Sequence, residues 1–437
     1  MAHAWAVESV IDLQSRGWLL VEDGNHGEYR PRAEEFVRVG TAFIRAADMD
    51  GGRILFARAE RIDGEAVSRI RKGIGRPGDV LLSHKGTVGK VSFAPLDCEP
   101  FVCSPQTTFW RVTDERHLDR RYLYYFLQSR LFKNQLNARK GETDMADYVS
   151  LTTQRTLRVL RPDISEQRAI ADVLGALDDK IELNRRMNET MEATARAIFQ
   201  SWFVNFDPAR AKAEGRQPAG MSADIAALFP SKMNNGVPIG WRPGTLGEVA
   251  QNKRTQVKPG EAPAETPYIG LEHMPRKCIA LAEWGRANEV ASNKFAFSTA
   301  DILFGKLRPY FHKVGLAAVN GVCSTDVLVV TPKAPAWFGY VLGHFSSDEL
   351  IAYTDAASTG TKMPRTSWND LARYQVVMPT EDVARTFSEV ISPMTDKIRN
   401  NIHESRTLAT LRDTLLPKLL SGEVRAHAIG KRLSSAV

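Results

Sequence analysis

One long-helix pattern occurs twice in this chain, and it limits the fold more than any other feature. Residues 163–204 contain DDKIELNRRMNETMEATARAIFQSWF, and residues 380–421, 217 positions on, contain TDKIRNNIHESRTLATLRDTLLPKLL. In the first, Ile170, Leu174, Leu177, Ile181, Asn184, Asn188, Met191, Ala195, Ile198 and Trp202 alternate in steps of four and three. Phe387, Ile391, Met394, Ile398, Asn401, Ser405, Leu408, Arg412, Leu415 and Leu419 repeat those steps in the second. A seam recurring every ~3.5 residues over several heptads belongs to a coiled coil. Such a seam needs a partner helix, and this chain supplies one itself, a whole domain later.

The repeat is wider than the helices. Asp79-Val80-Leu81-Leu82 matches Asp301-Ile302-Leu303-Phe304 at an offset of 222, and Cys103-Ser104 matches Cys323-Ser324 at 220. Thr143-Asp144-Met145 matches Thr361-Lys362-Met363 at 218, and Pro162 matches Pro379 at 217. So small a drift marks a tandem duplication, globule then long helix, twice over. At 437 residues the chain exceeds what one core organises, so two globules with helical spacers is the natural count.

Composition adds exclusions. Hydrophobic residues make up 43% and charged residues 25%, ordinary for a globular protein. No apolar run approaches the ~20 residues of a membrane span, and MAHAWAVESVIDLQSRG lacks the basic, apolar, small-residue order of a signal peptide. A cytoplasmic protein with no membrane partner is expected. The four cysteines form no CxxC pair and the nine histidines no HxxxH or HExxH spacing, so no disulfide framework and no metal site is expected. Cys103 and Cys323, equivalent in the two repeats, read as buried apolar filling.

A net charge of +7 is mild for this length, and placement says more. Basic residues gather in glycine-bearing turns: RIRKG at 69–73 and HKGTVGK at 84–90, then NKR at 252–254, GKLRPY at 305–310 and STGTKMPR at 358–365. Glycine lets a backbone approach a ligand, Lys and Arg neutralise phosphates or read guanine edges, and hydroxyls bond either. A solvated loop explains any one turn alone, whereas matched turns in both repeats favour binding. The DNA-contact candidates are Lys85, Thr87, Lys90 and Lys140 in the first globule, with Lys306, Arg308, Tyr310, Thr361, Lys362 and Arg365 in the second. Around them, strands are expected near 79–83, 90–94 and 107–112, and near 301–305, 313–319 and 326–331, with helices near 119–132 and 336–346. Short β-rich runs broken by Gly and Pro, plus a few helices, make each globule a mixed α+β domain.

Catalytic motifs fail on inspection. Asn205-Phe206-Asp207-Pro208-Ala209 lacks the second proline of an amino-methyltransferase motif, and Gly86-Thr87-Val88-Gly89-Lys90-Val91 fails the P-loop in spacing and last residue. Pro162-Asp163 followed by Asp178-Asp179-Lys180 has the letters of a nuclease motif, but Asp178 and Lys180 sit on different faces of the heptad helix. No catalytic residue is assigned.

Ser201-Trp202-Phe203-Val204-Asn205-Phe206-Asp207-Pro208-Ala209-Arg210 and Ala226-Ala227-Leu228-Phe229-Pro230 resemble the central region of specificity subunits of type I restriction-modification systems. So do Glu166-Gln167-Arg168 opening the first helix, Gly240-Trp241 opening the second globule, and Leu415-Leu416-Pro417-Lys418-Leu419-Leu420-Ser421-Gly422 closing the second helix. The resemblance covers about residues 30 to 425. It departs at Glu381-Asp382-Val383, which replaces Glu-Gln-Arg, and at the start of the first globule, where Trp5 is the nearest counterpart of Gly-Trp.

The resemblance implies a double-stranded DNA reader without catalysis of its own. It implies target recognition domains at 1–162 and 237–379, spacer helices at 163–204 and 380–422 packed as an antiparallel coiled coil, a linker at 205–236 and a tail at 423–437. Each domain would read half of a bipartite asymmetric site. Two modification subunits would bring S-adenosylmethionine and methylate adenine, and restriction subunits would bring ATP and Mg²⁺. The alternative function is an oligomerisation scaffold whose globules bind protein.

Physics fits the ruler. Ile170 to Trp202 at ~1.5 Å per residue spans roughly 50 Å, enough to set a half-site spacing of about one duplex turn. Centring the seams antiparallel opposes Asn188 to Asn401 and Asn184 to Ser405, a polar pair of layers expected to select register; a solvated mid-seam is the alternative. Ile181, Met187, Phe199 and Phe203 widen the apolar surface beyond the seam, toward partner subunits or toward the chain's own globules.

Overall fold

The computed structural model describes residues 5–140, 147–289, 292–356 and 363–426. It divides into two compact units, residues 1–179 with 409–437, and residues 180–408. Two long helices, α1 (Ile164–Phe199) and α2 (Glu381–Ser421), each contribute to both units.

α1 starts where Asp163 turns back on the chain, its Oδ1 accepting from Glu166 N at 2.9 Å. The Glu-Gln opening then ties the helix to the first unit. Buried Gln167 donates to the carbonyls of His117 and Pro162 and accepts from Asp119 N, while Glu166 Oε1 accepts from Ala426 N. α1 ends in a π-turn, Gln200–Val204, after which Phe206 adopts a left-handed backbone at φ +58° and Asp207–Ala213 forms a short helix.

The strands of the first unit are β1 (Leu19–Asp23), β2 (Thr41–Ile44), β3 (Val80–Ser83), β4 (Val91–Phe93), β5 (Phe101–Cys103) and β6 (Thr107–Val112), with shorter ones beside them. One sheet runs β1-β6-β3-β4 and on into two short strands, and the other pairs β2 parallel to β5, Val102 opposite Phe43. The second unit repeats this with β7 (Ala250–Lys253), β8 (Pro267–Ile269), β9 (Ile302–Gly305), β10 (Val314–Leu316), β11 (Gly321–Ser324) and β12 (Val327–Pro332). Its first sheet is ordered β7-β12-β9-β10, and β8 pairs parallel to β11, Tyr268 opposite Val322. β3 and β9 are buried along their whole length, so they read as apolar runs rather than alternating strands.

The helix ends belong to the globule cores. Ile170 and Leu174 of α1 and Leu419 and Leu420 of α2 pack with Trp110, Tyr122 and Phe126 in the first unit. Phe199 of α1 and Phe387 and Ile391 of α2 pack with Phe203, Phe304 and Tyr340 in the second. Burying such side chains contributes about 1.5–3 kcal/mol each, so the seam stabilises each globule as well as the helix pair.

The duplication resolves the weak start of the first globule. Ala6–Ser9 pairs antiparallel with Arg158–Arg161 as Arg242–Thr245 pairs with Gln375–Met378, so Trp5 stands where Trp241 stands. Trp241 is buried beside Phe203, Phe206 and Phe229.

Candidate nucleic-acid interface

In each unit the central strand runs into a loop that a second segment crosses. His84, following β3, donates through its backbone N to Gln106 O at 2.9 Å, Val149 N donates to His84 O at 2.9 Å, and Gly86 N donates to Asp147 O at 3.0 Å. In the second unit Lys306 N donates to Asp326 O at 2.9 Å, Thr366 N to Lys306 O at 3.0 Å, and Arg308 N to Pro364 O at 2.8 Å. These are the same three bonds at the offsets read from the sequence. Isolated bridges complete the match, Lys85 opposite Tyr148 and Leu307 opposite Arg365.

This cradle gathers most of the DNA-contact candidates. Lys85 and Thr87 are exposed on its rim, and Lys140 reaches it through Asp147, 2.8 Å from Lys140 Nζ. In the second unit Asp326 Oδ1 lies 3.9 Å from Lys306 Nζ and 3.7 Å from an Arg365 guanidinium nitrogen. Arg308 takes a left-handed backbone at φ +50°, and Tyr310, 47% exposed, meets the Phe311 ring edge-on at 4.7 Å. The Arg276 guanidinium caps Phe311 at 4.0 Å. Thr361 and Lys362 lie outside the described residues.

Lys90 points elsewhere. Its Nζ donates to the carbonyls of Ala46 and Met49 at 3.1 and 2.9 Å, capping a 3-10 turn. Lys313, just before β10 as Lys90 is just before β4, donates to Leu271 O of the matching turn. The pair is a structural lysine kept in both repeats, its ammonium directed into the fold.

Sequence reasoning passed over other members of the cluster. Asp23 ends β1, where its carboxylate lies 3.4 Å from His26 and 3.6 Å from His84. Tyr148 lies against His84, ring centroids 5.5 Å apart. Burial lowers the His84 pKa, against the pull of Asp23, and burial together with Asp23 raises that of Tyr148. Arg254 stacks on Phe295 in the second unit. Only Arg254 had a signal, the NKR turn; Asp23 and Tyr148 become visible through strand pairing.

In the second unit α1 and α2 run antiparallel, with Asn188 opposite Asn401 and Asn184 opposite Ser405 and Glu404. Ile181 and Met187 are half-buried there. Phe199 and Phe203 are 2% and 4% exposed, enclosed by Tyr340 and Phe387. A partner surface at these two aromatics is therefore corrected: the chain's own globule consumes them. Among the described residues no cluster of His, Cys, Asp and Glu is arranged to hold a metal, and no helix is long and apolar enough to cross a membrane.

A family model described as the type I restriction modification DNA specificity domain matches residues 32–193. The MjaIX type I restriction enzyme specificity subunit of Methanocaldococcus jannaschii is 24% identical over 395 residues, spanning 86% of this chain and 84% of that protein. The HindI specificity subunit of Haemophilus influenzae is 24% identical over 449 residues, spanning 87% and 94%. In fold, the chain is similar to the type I restriction-modification S subunit from M. genitalium, with a TM-score of 0.53, 15% identity, and coverage of 95% of this chain and 96% of that one.

Proposed function

We propose that this chain, which belongs to the type I restriction-modification DNA specificity family, reads a bipartite asymmetric DNA site with one half-site per unit and directs adenine methylation and restriction by partner subunits. One observation carries the two-half reading. The same three-bond cradle occurs in both units but presents different side chains, His84, Gln106 and Tyr148 in one and Lys306, Asp326 and Arg365 in the other. A shared frame with unlike contents suits two readers of unlike sequences.

The chain's own share is binding: exposed Lys85, Thr87, Arg365 and Tyr310 offer phosphate, base-edge and stacking contacts. Thr361 and Lys362 precede the crossing residues Pro364 and Arg365 in sequence and are further candidates for DNA contact. Methyl transfer, with S-adenosylmethionine, belongs to two modification subunits, and ATP and Mg²⁺ to restriction subunits, the assembly working in the cytoplasm where its DNA is. Asn184, Asn188, Asn401 and Ser405 hold the helix register, and half-buried Ile181 and Met187 face the modification subunits.

The test is co-expression with the neighbouring modification subunit in a methylation-free host and mapping of N6-methyladenine. A single two-part motif with a fixed gap, one half of which changes when one cradle is altered, supports the role. A soluble, assembled complex that adds no methylation sends the chain to the protein-binding scaffold reading.

A further inference from the structure

The two units differ at one corner that the duplication would otherwise make alike. In the second unit the Glu192 carboxylate accepts from the backbone N of Ile279 at 2.9 Å. The first unit has Gly52 at that place, since Phe93 N donates to Gly52 O at 3.0 Å as Leu316 N donates to Ile279 O at 2.8 Å. The counterpart of Glu192, at the 217-residue offset of the spacer helices, is Ala409, which brings no carboxylate. A cavity of about 200 Å³ opens beside Gly52.

The lining of that cavity suits an anion. Gly51, Gly52 and Gly89 have left-handed backbones, at φ +53°, +80° and +99°, and leave main chain rather than side chain against it. Gln128 and exposed Lys133 line it as well. Ser346 and Ile351 hold their positions in the second unit, because Ser129 and Ser347 start the following helices alike, each donating through Oγ to the carbonyl three residues back. Where the second unit supplies its own carboxylate, the first therefore lacks one and gains an ammonium. Lys90, also in the lining, spends its Nζ on the carbonyls of Ala46 and Met49. Asp50 lines the cavity too, but it is exposed and forms no ion pair with Lys133 among the described residues.

The charge difference extends past the cavity. From Ser129 to Lys140 the first unit carries Arg130, Lys133, Arg139 and Lys140 and no acidic residue. The matching helix of the second unit, Asp348–Ala356, carries Asp348, Glu349 and Asp355 and no basic one. Lys140 meets Asp147 at the cradle, and the seven residues from Lys133 to Lys140 span roughly 10 Å at helical rise. That is about three nucleotides along one strand of a duplex, so a strand that passes the cradle also passes the cavity.

We propose that Gly52, Gln128 and Lys133 seat one phosphate of the DNA backbone, an anchor that the first unit has and the second lacks. A main-chain amide, a side-chain amide and an ammonium are the usual partners of a phosphate on DNA. The assignment rests on the DNA-reading role above.

The methylation map of the native complex comes first, and absence of any bipartite motif overturns that role and the phosphate seat together. With the motif known, each phosphate of a duplex bearing the site is replaced in turn by an uncharged methylphosphonate. Binding to the purified complex with its modification subunit is then measured. One linkage beside a half-site is expected to weaken binding of the native complex by roughly two- to ten-fold. Lys133→Ala is expected to bind the unmodified duplex more weakly by a similar factor, with a salt slope smaller by about one, and to ignore that linkage. Lys133→Arg, which keeps the charge, is expected to behave as the native complex does. If the motif is present but every linkage that matters to the native complex matters equally to Lys133→Ala, the phosphate seat alone is wrong. It is equally wrong if Lys133→Ala leaves the methylphosphonate scan unchanged and removes only the thermal stabilisation given by inorganic phosphate, since the cavity then takes a free anion.

Discussion

Asn401 donates through Nδ2 to Oδ1 of Asn188 at 2.9 Å, with both side chains buried between the two helices of the second unit. One turn away, Asn184 donates to Glu404 at 2.8 Å and to Ser405 at 3.3 Å. Asn188→Leu leaves a buried amide unpaired and is expected to cost about 1–3 kcal/mol in denaturant unfolding. The double change Asn188→Leu with Asn401→Leu is expected to recover most of that loss, because two apolar side chains fill a seam at least as well as a polar pair. The gain should come at the expense of register, since slipped pairings no longer leave hydrogen bonds unmade. Methylated sites with more than one gap length in the double variant are the expected signature; one sharp gap would sink the register role.

A second polar contact secures the second globule to α1. Glu192 accepts from Ile279 N at 2.9 Å, Ala280 N at 3.1 Å and Cys278 Sγ at 3.4 Å, although burial raises its pKa. Two backbone donors held by one carboxylate explain why a charged residue survives on a buried face. Glu192→Ala should destabilise the second unit by about 2–3 kcal/mol, the cost of losing charge-assisted bonds, and Glu192→Gln by less. Equal losses for the two variants would mean that packing, not hydrogen bonding, holds this contact.

His344 gives the fold an acid sensitivity. It is enclosed by Phe199, Tyr340 and Tyr374, its Nε2 has no hydrogen-bond partner, and burial pushes its pKa from 6.5 down to about 3. The folded chain refuses a proton that the unfolded chain accepts, so the contribution is complete above about 6.5 and is lost as pH falls toward 3. The slope is about 1.4 kcal/mol per pH unit within that window. The stability gap between the native chain and His344→Leu, measured at pH 7.5 and 5.5, should move in favour of the variant at the lower pH. A gap that does not change with pH would exclude the mechanism.

Much of this architecture was legible because it is local or repeated. Expected strands near 79–83, 90–94 and 107–112 occur at Val80–Ser83, Val91–Phe93 and Thr107–Val112, where apolar runs are long enough to stand out. The helix expected near 119–132 is two helices, Arg120–Gln128 and Arg130–Asn137. Ser129 leaves helical geometry at ψ 155° and caps the second through Phe132 N. The parallel pairing of β2 with β5 was out of reach, since it joins short strands far apart in sequence by backbone bonds that side-chain pattern does not encode. At the site, loop chemistry found Lys85 and Arg365, but Asp23 comes beside His84 only because β1 and β3 flank β6 in one sheet.

Lys85 and Lys90 sit five residues apart in the same loop and separate binding from structure. Lys85 is exposed at the cradle rim, whereas Lys90 caps Ala46 and Met49. Gly89, at φ +99°, turns the chain between loop and strand, so the next side chain points inward. Lys85→Ala should leave unfolding unchanged while weakening DNA binding and lowering the salt slope of affinity by about one phosphate contact. Lys90→Ala should do the reverse at first order: two buried carbonyls lose their donor, a cost of about 1–3 kcal/mol, with the salt slope of the folded complex retained. Lys313→Ala, the equivalent change in the second unit, should behave as Lys90→Ala does. If Lys90→Ala instead flattened the salt slope without loss of stability, its ammonium would have to leave the carbonyls for phosphate when DNA binds, and the inward assignment of both lysines would fall.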